Sequence, residues 1–457
     1  MSLASVSEVV IGFVYGWASV ALPLLEGEAW PWRIDENQSS WIVSLVDIGS
    51  LVIAIPAGLL ANRVGRRMVL LSSALFFLAS WIMILFATSV EWLYVARLLA
   101  GMGGGTVFTV NTMYWGEIAS PAFRGSASSL TQAMLFFGIL LADVIGYLAP
   151  TEYTTLALCG AGVTVVFVAC FFFTPESPYY LLMRGRPDLA KLALQRLRGK
   201  EDVAAELVPL EEALSADLAL GSDTQLGCGN MLRTRGARRA LFISVVVGAL
   251  QRLSGLSAVI AYTSSTLPKD MAELGPMLIG AVLFLASFGP LVLMDRLGRR
   301  PLLILSSIVV AASMASNGFY FQFVGALCPA AAESGNLSWV PLLGLVAYAV
   351  AYALGMGPVP DILPGEVFPT SVKGLAVSGV NISLTLFTFL VSKIYNVMGV
   401  QYMYWGFAVV GVLTALFAAF VIPETRGKTL EQVVDELEGR GRRRRPAPEA
   451  EAADGAV

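Results

Sequence analysis

The chain contains no histidine at all. That absence removes imidazole as a general base, a proton shuttle and a metal ligand. Four cysteines in 457 residues, Cys159, Cys170, Cys228 and Cys328, show neither metal nor redox spacing and do not form a disulfide framework. Charge is scarce too: Asp, Glu, Lys and Arg make up 14% of the chain, against about a quarter in a soluble globular domain. The glycine run "GMGGG" at 101–105 lacks the Lys and the Ser or Thr that close a phosphate loop. No nucleophile–base constellation and no metal cluster remain to be found, so the chain is read as a non-enzyme without metal, cofactor, ATP drive or nucleic-acid partner. What fills the space is apolar. Hydrophobic residues are 56% and the mean hydropathy is +0.71, which is the composition of a polytopic membrane protein.

Runs long enough to cross a bilayer are plain at 70–90, 156–173 and 404–422. With weaker candidates the count is twelve, near 8–25, 41–61, 68–88, 93–113, 126–149, 154–174, 240–263, 274–294, 301–324, 339–363, 373–394 and 402–422. A polar stretch divides them six and six, with leucines at helical spacing in "RPDLAKLALQRLRG" and "EDVAAELVPLEEAL". The expected organisation is an N-terminal six-helix bundle (1–174), cytoplasmic linker helices (175–238), a C-terminal bundle (239–422) and a cytoplasmic tail (423–457) expected to be disordered. The first apolar run carries Glu8 and lacks a basic leader, so no cleavable signal peptide is expected. The tail's Arg442–Arg445 run reads either as a contact with anionic lipid or as a solvated charge run.

Lysine and arginine collect on one set of loops: Arg63, Arg66, Arg67, Arg124, the central linker, Arg296, Arg299, Arg300, Lys373 and the tail. The opposite loops hold little beyond Arg33, Lys269 and Lys393, which places both termini in the cytoplasm. Two glycosylation sequons, at Asn37 and Asn336, fall on loops this topology puts outside, as suits a cell-membrane glycoprotein.

The two halves repeat. "ANRVGRRMVLLSS" (61–73) matches "MDRLGRRPLLILSS" (294–307), "GEIASPAFRG" (116–125) matches "GEVFPTSVKG" (365–374), and "TPESP" (174–178) matches "IPETRG" (422–427). Three paired motifs in one order describe a duplicated six-helix unit, an architecture of transporters with a site between the repeats. Each motif joins a glutamate to basic residues: Glu117 with Arg124, Glu366 with Lys373, and Glu176 and Glu424 with the Arg63–Arg66 and Arg296–Arg299 clusters. Positive-inside topology accounts for the arginines but not for the recurring glutamates. The expectation is a cytoplasmic gate that latches the halves when the cavity faces outward.

The chain resembles the sugar porter family of the major facilitator superfamily, relatives of the facilitative glucose transporters. The resemblance is carried by "GLLANRVGRR", "RLLAGMGGG", "YWGEIASPAFRG", "PESPYYL", "LQRLSG", "DRLGRR", "GPVP" followed by "LPGEVFP", and "PETRGKTL", which together cover nearly the whole chain. The "PESPYYL" wording resembles most the insect hexose and trehalose facilitators. The resemblance implies an all-α membrane protein of twelve transmembrane helices in two six-helix bundles. It further implies that Gln132 and Gln251 contact the sugar, amides being able to pair with hydroxyls as donor and acceptor together. An interhelical hydrogen bond is the plainer role for either glutamine.

Against the family pattern, Arg252 stands where a second glutamine is usual, Ser257 for an asparagine, Leu283 for another asparagine, Asp361 for a tryptophan and Thr385 for an aromatic. Loss of both rings puts glucose itself in doubt as the substrate. Arg252 and Asp361 are expected to face one another, either as a structural pair or in contact with substrate. Losing one partner is expected to cost about 3–5 kcal/mol. Arg97 needs a counter-ion, for which Asp143 and Asp47 are the candidates. Gly16 occupies the first-span position where proton-coupled relatives carry an aspartate, which favours facilitated diffusion of a neutral sugar, a hexose or trehalose. A proton-coupled symporter using Asp143 or Asp361 is the alternative. A sugar sensor without flux is the other, and the tail is shorter than a sensor is expected to have. Membrane lipid is the other expected partner, and oligomeric state is left open.

Overall fold

The computed structural model describes residues 5–27, 34–118, 124–149, 153–223, 235–267, 271, 274–324, 339–368, 373–395, 398–426, 432–433 and 436. Spans 1 to 6 are single helices: α1 (Val6–Glu26), α2 (Glu36–Val64), α3 (Arg66–Leu85), α4 (Val90–Ile118), α5 (Arg124–Leu148) and α6 (Tyr153–Phe172). Three linker helices follow, α7 (Pro178–Met183), α8 (Pro187–Arg198) and α9 (Ala204–Asp223). Spans 7 to 12 are α10 (Arg235–Leu253) with α11 (Leu256–Thr266), α12 (Leu274–Ala286) with α13 (Pro290–Leu297), α14 (Arg299–Phe319), α15 (Trp339–Ala351) with α16 (Pro358–Val367), α17 (Lys373–Ile394) and α18 (Val400–Phe420). Among the described residues, eleven spans are long and apolar enough to cross a membrane, and span 11 has a shorter apolar stretch, Gly379–Ile394. The chain is a multi-pass membrane protein of twelve helices.

Local chemistry sets the helix ends. Asp35 accepts from Gln38 N at 2.7 Å while the Gln38 side chain accepts from Asp35 N at 3.0 Å, a capping box that starts α2. Ser177 caps α7 with Pro178 at its first position, and Gly199 ends α8 in the left-handed region at φ 65°. The glycines of "RLLAGMGGG" set helix spacing. A β-carbon on Gly101 would lie 2.1 Å from the Val46 carbonyl oxygen, so α2 and α4 cross nearly backbone to backbone.

Span 7 departs from expectation. The run 240–263 reads as one helix, yet the structure interrupts it at Ser254 and Gly255, the latter at φ 91°. Span 10 is likewise broken, by a π-helical turn at Tyr352–Met356 and then Gly357. Such turns and discontinuous helices gather at transporter sites because they free backbone groups at mid-membrane depth.

The halves meet through α1 against α11, α2 against α17, and α5 against α12. On the outer side Ser264 Oγ donates to the Ser19 carbonyl at 2.7 Å. Lys393 Nζ donates to Asn37 Oδ1 at 3.4 Å and stands 3.8 Å over the Trp41 ring. Nine residues of α2 between Ser39 and Ser50 are buried, whereas toward its other end only Ala57 and Ala61 are. The halves are sealed at the end that carries Asn37 and Lys393 and splayed at the other.

Candidate functional site

The two helix breaks place the charges that the sequence left unexplained. Arg252 lies in the last turn of α10, where the carbonyl end of a helix favours a cation. Asp361 lies in the first turn of α16, where the amide end favours an anion. Their Nη2 and Oδ1 atoms stand 4.0 Å apart, and the two side chains keep 35% and 43% of their surface exposed. Both charges therefore face a wet cavity. The expected cost of 3–5 kcal/mol for losing one partner belongs to a dry, buried pair and is too high for this one.

Gln251 Nε2 donates to the Gly357 carbonyl at 2.6 Å and to Asp361 Oδ1 at 3.2 Å. Gln132 approaches the same glycine from the other half of the molecule: a β-carbon on Gly357 would lie 2.4 Å from Gln132 Nε2. Gln132 Oε1 is buried without a hydrogen-bond partner. The structure thus gathers Gln132, Gln251, Arg252 and Asp361 around the break in span 10. Ser257 is turned instead toward span 11, where Ser392 Oγ lies 3.5 Å from its hydroxyl. Thr385 donates to the Asn381 carbonyl one turn back at 2.9 Å, and Leu283 is buried. Gly357 itself was not legible as a site residue, because only its tertiary neighbours give it a role.

Arg97 is not answered by an ion pair. Its Nε donates to the Ile42 carbonyl at 3.2 Å and its Nη1 to the Val14 carbonyl at 2.9 Å, with the guanidinium 4.9 Å over the Trp17 ring. Asp143 accepts instead from Ser19 Oγ at 2.5 Å. Asp47 attracts Arg97 and Arg252 at longer range.

The repeated glutamate–arginine motifs resolve into one device used twice. Gly65, at φ 113°, precedes α3, and Gly298, at φ 89°, precedes α14. Each conformation suits glycine alone, and each leaves room for a carboxylate: a β-carbon would meet Glu176 Oε2 at 2.5 Å or Glu424 Oε2 at 2.9 Å. Glu176 accepts from Arg66 N at 3.1 Å and Arg67 N at 3.2 Å. Glu424 accepts from Arg299 N and Arg300 N, both at 3.1 Å. A glutamate from beyond the last helix of each bundle therefore caps the amino end of that bundle's third helix. Burial works against the Glu424 charge, but the backbone N–H groups of Arg426, Arg299, Arg300 and Thr425 outweigh it and hold the carboxyl below its ordinary range. In the first bundle Glu117 adds an ion pair with Arg66 at 2.8 Å and accepts from Ser177 Oγ.

In this state, splayed at the end where they lie, these clusters join helix ends within one half; the expected latch between halves belongs to the opposite, outward-facing state. Arg63 and Arg296 are exposed, and their main-chain carbonyls are engaged, by Tyr180 Oη at 3.2 Å and Arg426 Nη1 at 2.7 Å. The side chains of Arg124, Glu366 and Lys373 lie outside the described residues, as do Asn336 and the Arg442–Arg445 run. Asn37 is exposed at the outer end of α2.

Two six-helix bundles, broken helices at their interface and a seam closed on one side define the major facilitator architecture. A partially occluded, inward-open structure of the xylose transporter XylE from E. coli superposes with a TM-score of 0.77 at 23% identity, covering 93% of this chain and 98% of that one. The proton:xylose symporter XylE bound to 6-bromo-6-deoxy-D-glucose superposes at 0.76 with 23% identity, covering 96% and 97%. The sequence profile of the family described as "Sugar (and other) transporter" matches residues 2–437, and the chain belongs to that family. Facilitated trehalose transporters Tret1 are among its relatives: 32% identity to that of Culex quinquefasciatus over 96% of this chain and 85% of the relative, and 31% to that of Aedes aegypti over 96% and 55%. The chain spans about half the length of several such relatives, 51% for Drosophila erecta.

Proposed function

We propose that the chain carries a neutral sugar of the trehalose or hexose class across the cell membrane by facilitated diffusion, the two halves rocking about a site at the span 10 break. The observation that carries this reading is the convergence of Gln132 from one half and Gln251 from the other on Gly357. A substrate bound there touches both moving bodies, which alternating access requires. The amides supply paired donors and acceptors for hydroxyls, and Arg252 with Asp361 supplies a charge-balanced polar wall. Both termini are cytoplasmic on this reading, Asn37 is a glycosylation site on the outer face, and the arginine–glutamate clusters form the cytoplasmic gate. The names of the trehalose-transporter relatives support the substrate class.

The test is uptake of labelled trehalose and labelled glucose into proteoliposomes, with and without an inward proton gradient. Equilibrating flux of either sugar, with no accumulation driven by the gradient, is the expected result. Accumulation above equilibrium that collapses with a protonophore would replace facilitation by symport, with Asp143 and Asp361 as the first suspects. Binding without flux of either sugar would favour a sensor.

A further inference from the structure

Glu8 stands in the first turn of α1, 2% exposed. Asn111 Nδ2 on α4 donates to Glu8 Oε1 at 2.8 Å. Both remaining oxygens of the two side chains, Glu8 Oε2 and Asn111 Oδ1, are buried without a hydrogen-bond partner. Each is an acceptor, so neither satisfies the other unless a hydrogen lies between them. Among the described residues no cation compensates Glu8. Among the described side chains, the helices packed on α1 carry Glu91, Tyr94, Arg97, Asn111, Tyr114 and Glu117 (α4), Glu36, Asp47 and Arg63 (α2), Asp143 and Tyr147 (α5), Cys159 and Cys170 (α6) and Tyr262 (α11), and α1 itself carries Tyr15 and Glu26. Arg97 is held at the Val14 carbonyl, Asp143 at Ser19. The charged group that acts on Glu8 is another anion, Asp361, from the opposite half. An uncompensated carboxylate in such a place is costly, and adding one proton removes the cost.

We propose that Glu8 and Asn111 form a proton-binding site in the cavity wall, in which Oε2–H of Glu8 donates to Oδ1 of Asn111 and completes a two-bond acid–amide pair. When the proton leaves, Glu8 becomes a carboxylate that Asp361 repels across the halves, and Asn111 Oδ1 loses its donor. Glu8 belongs to one half and Asp361 to the other, so closing the inner side brings the two carboxylates together. The protonated form is therefore the one that lets the cytoplasmic side close. This consequence for flux rests on the transport reading above, whereas the proton site itself does not.

The full chain in proteoliposomes is titrated by infrared spectroscopy, wild type beside Glu8→Gln. The expected result is a protonated-carboxyl C=O band at neutral pH that disappears in alkali and is missing from Glu8→Gln. Sugar uptake is read in parallel: the wild-type rate should fall on the alkaline side by up to about tenfold per pH unit, the limit for one proton. Glu8→Gln should lack that limb, and Glu8→Asp should keep it with a shifted midpoint. A band at neutral pH identical in wild type and Glu8→Gln means Glu8 is ionised, its free oxygens bridged by water, and overturns the proposal. An alkaline limb that survives Glu8→Gln overturns the link to closure. Should neither sugar move, the transport reading fails while the infrared titration still decides the site. Glu8→Met replaces Glu8→Gln in both readouts if the latter does not fold.

Discussion

At the scale of single residues, exposure decides what a charge pair is worth. Arg66 and Glu117 lie 2.8 Å apart with side chains 4% and 16% exposed, whereas Arg252 and Asp361 lie 4.0 Å apart with 35% and 43% exposed. Glu117→Ala strands a buried guanidinium and should cost about 3–5 kcal/mol. Asp361→Asn leaves a guanidinium that water already reaches and should cost no more than about 1 kcal/mol. Melting of the two purified variants in detergent separates these values; equal losses would mean that the cavity is dry. Glu424 belongs to the same scale. Its carboxyl titrates below the ordinary range in the folded chain, so its stabilising contribution is present above the unfolded value and is lost only as pH falls through the lower folded one.

At the scale of helices, small residues set the distances. Gly101 and Gly49 each approach a facing backbone carbonyl: a β-carbon added to the first would lie 2.1 Å from Val46 O, and one added to the second 2.2 Å from Leu98 O. Gly101→Val should therefore force α2 and α4 apart and cost about 1–3 kcal/mol or more. Gly162 on α6 has nothing within 4 Å, and Gly162→Ala should be neutral or slightly stabilising. Yield of folded protein and melting temperature of the two variants check the contrast. Helix breaks follow the same logic. Gly255 is held at φ 91° against the Phe407 ring, so the amide and carbonyl ends of half-helices fall in the middle of the molecule and receive Asp361 and Arg252.

At the scale of the whole molecule, the seam between the halves determines the state. It is closed outside by the Ser264–Ser19, Lys393–Asn37 and Lys393–Trp41 contacts. With the four native cysteines removed, Asn37→Cys with Lys393→Cys should cross-link through a short bifunctional thiol reagent that carries a reducible bond. The linked protein should lose most of its sugar uptake and regain it on reduction, because the outer side can no longer open. Uptake that continues in the linked protein would mean that this seam does not part during transport.

Much of this protein was legible before any coordinates. A charge-poor chain must satisfy its backbone within helices, so span number and the order of the repeats follow from hydropathy and motif alone. The glutamates paired with arginine clusters could be found from the same repeats, whereas Gln251, Arg252 and Asp361 came from the resemblance to the sugar porters and the departures from it. What the sequence could not state was direction. Glu176 and Glu424 read as parts of a latch between halves, and only the position of α3 and α14 relative to the chain after span 6 and span 12 makes them caps within one half here. Arg97 looked unpaired until the Val14 and Ile42 carbonyls met it. Asn111 and Glu8 are 103 positions apart, and Gln132 meets Gly357 across the two bundles. Hydropathy and local motifs act within a few turns of helix and so determine the elements. Hydrogen-bond partners, exposure and the wet or dry character of a charge depend on which helices the packing brings together, and those the tertiary structure alone decided.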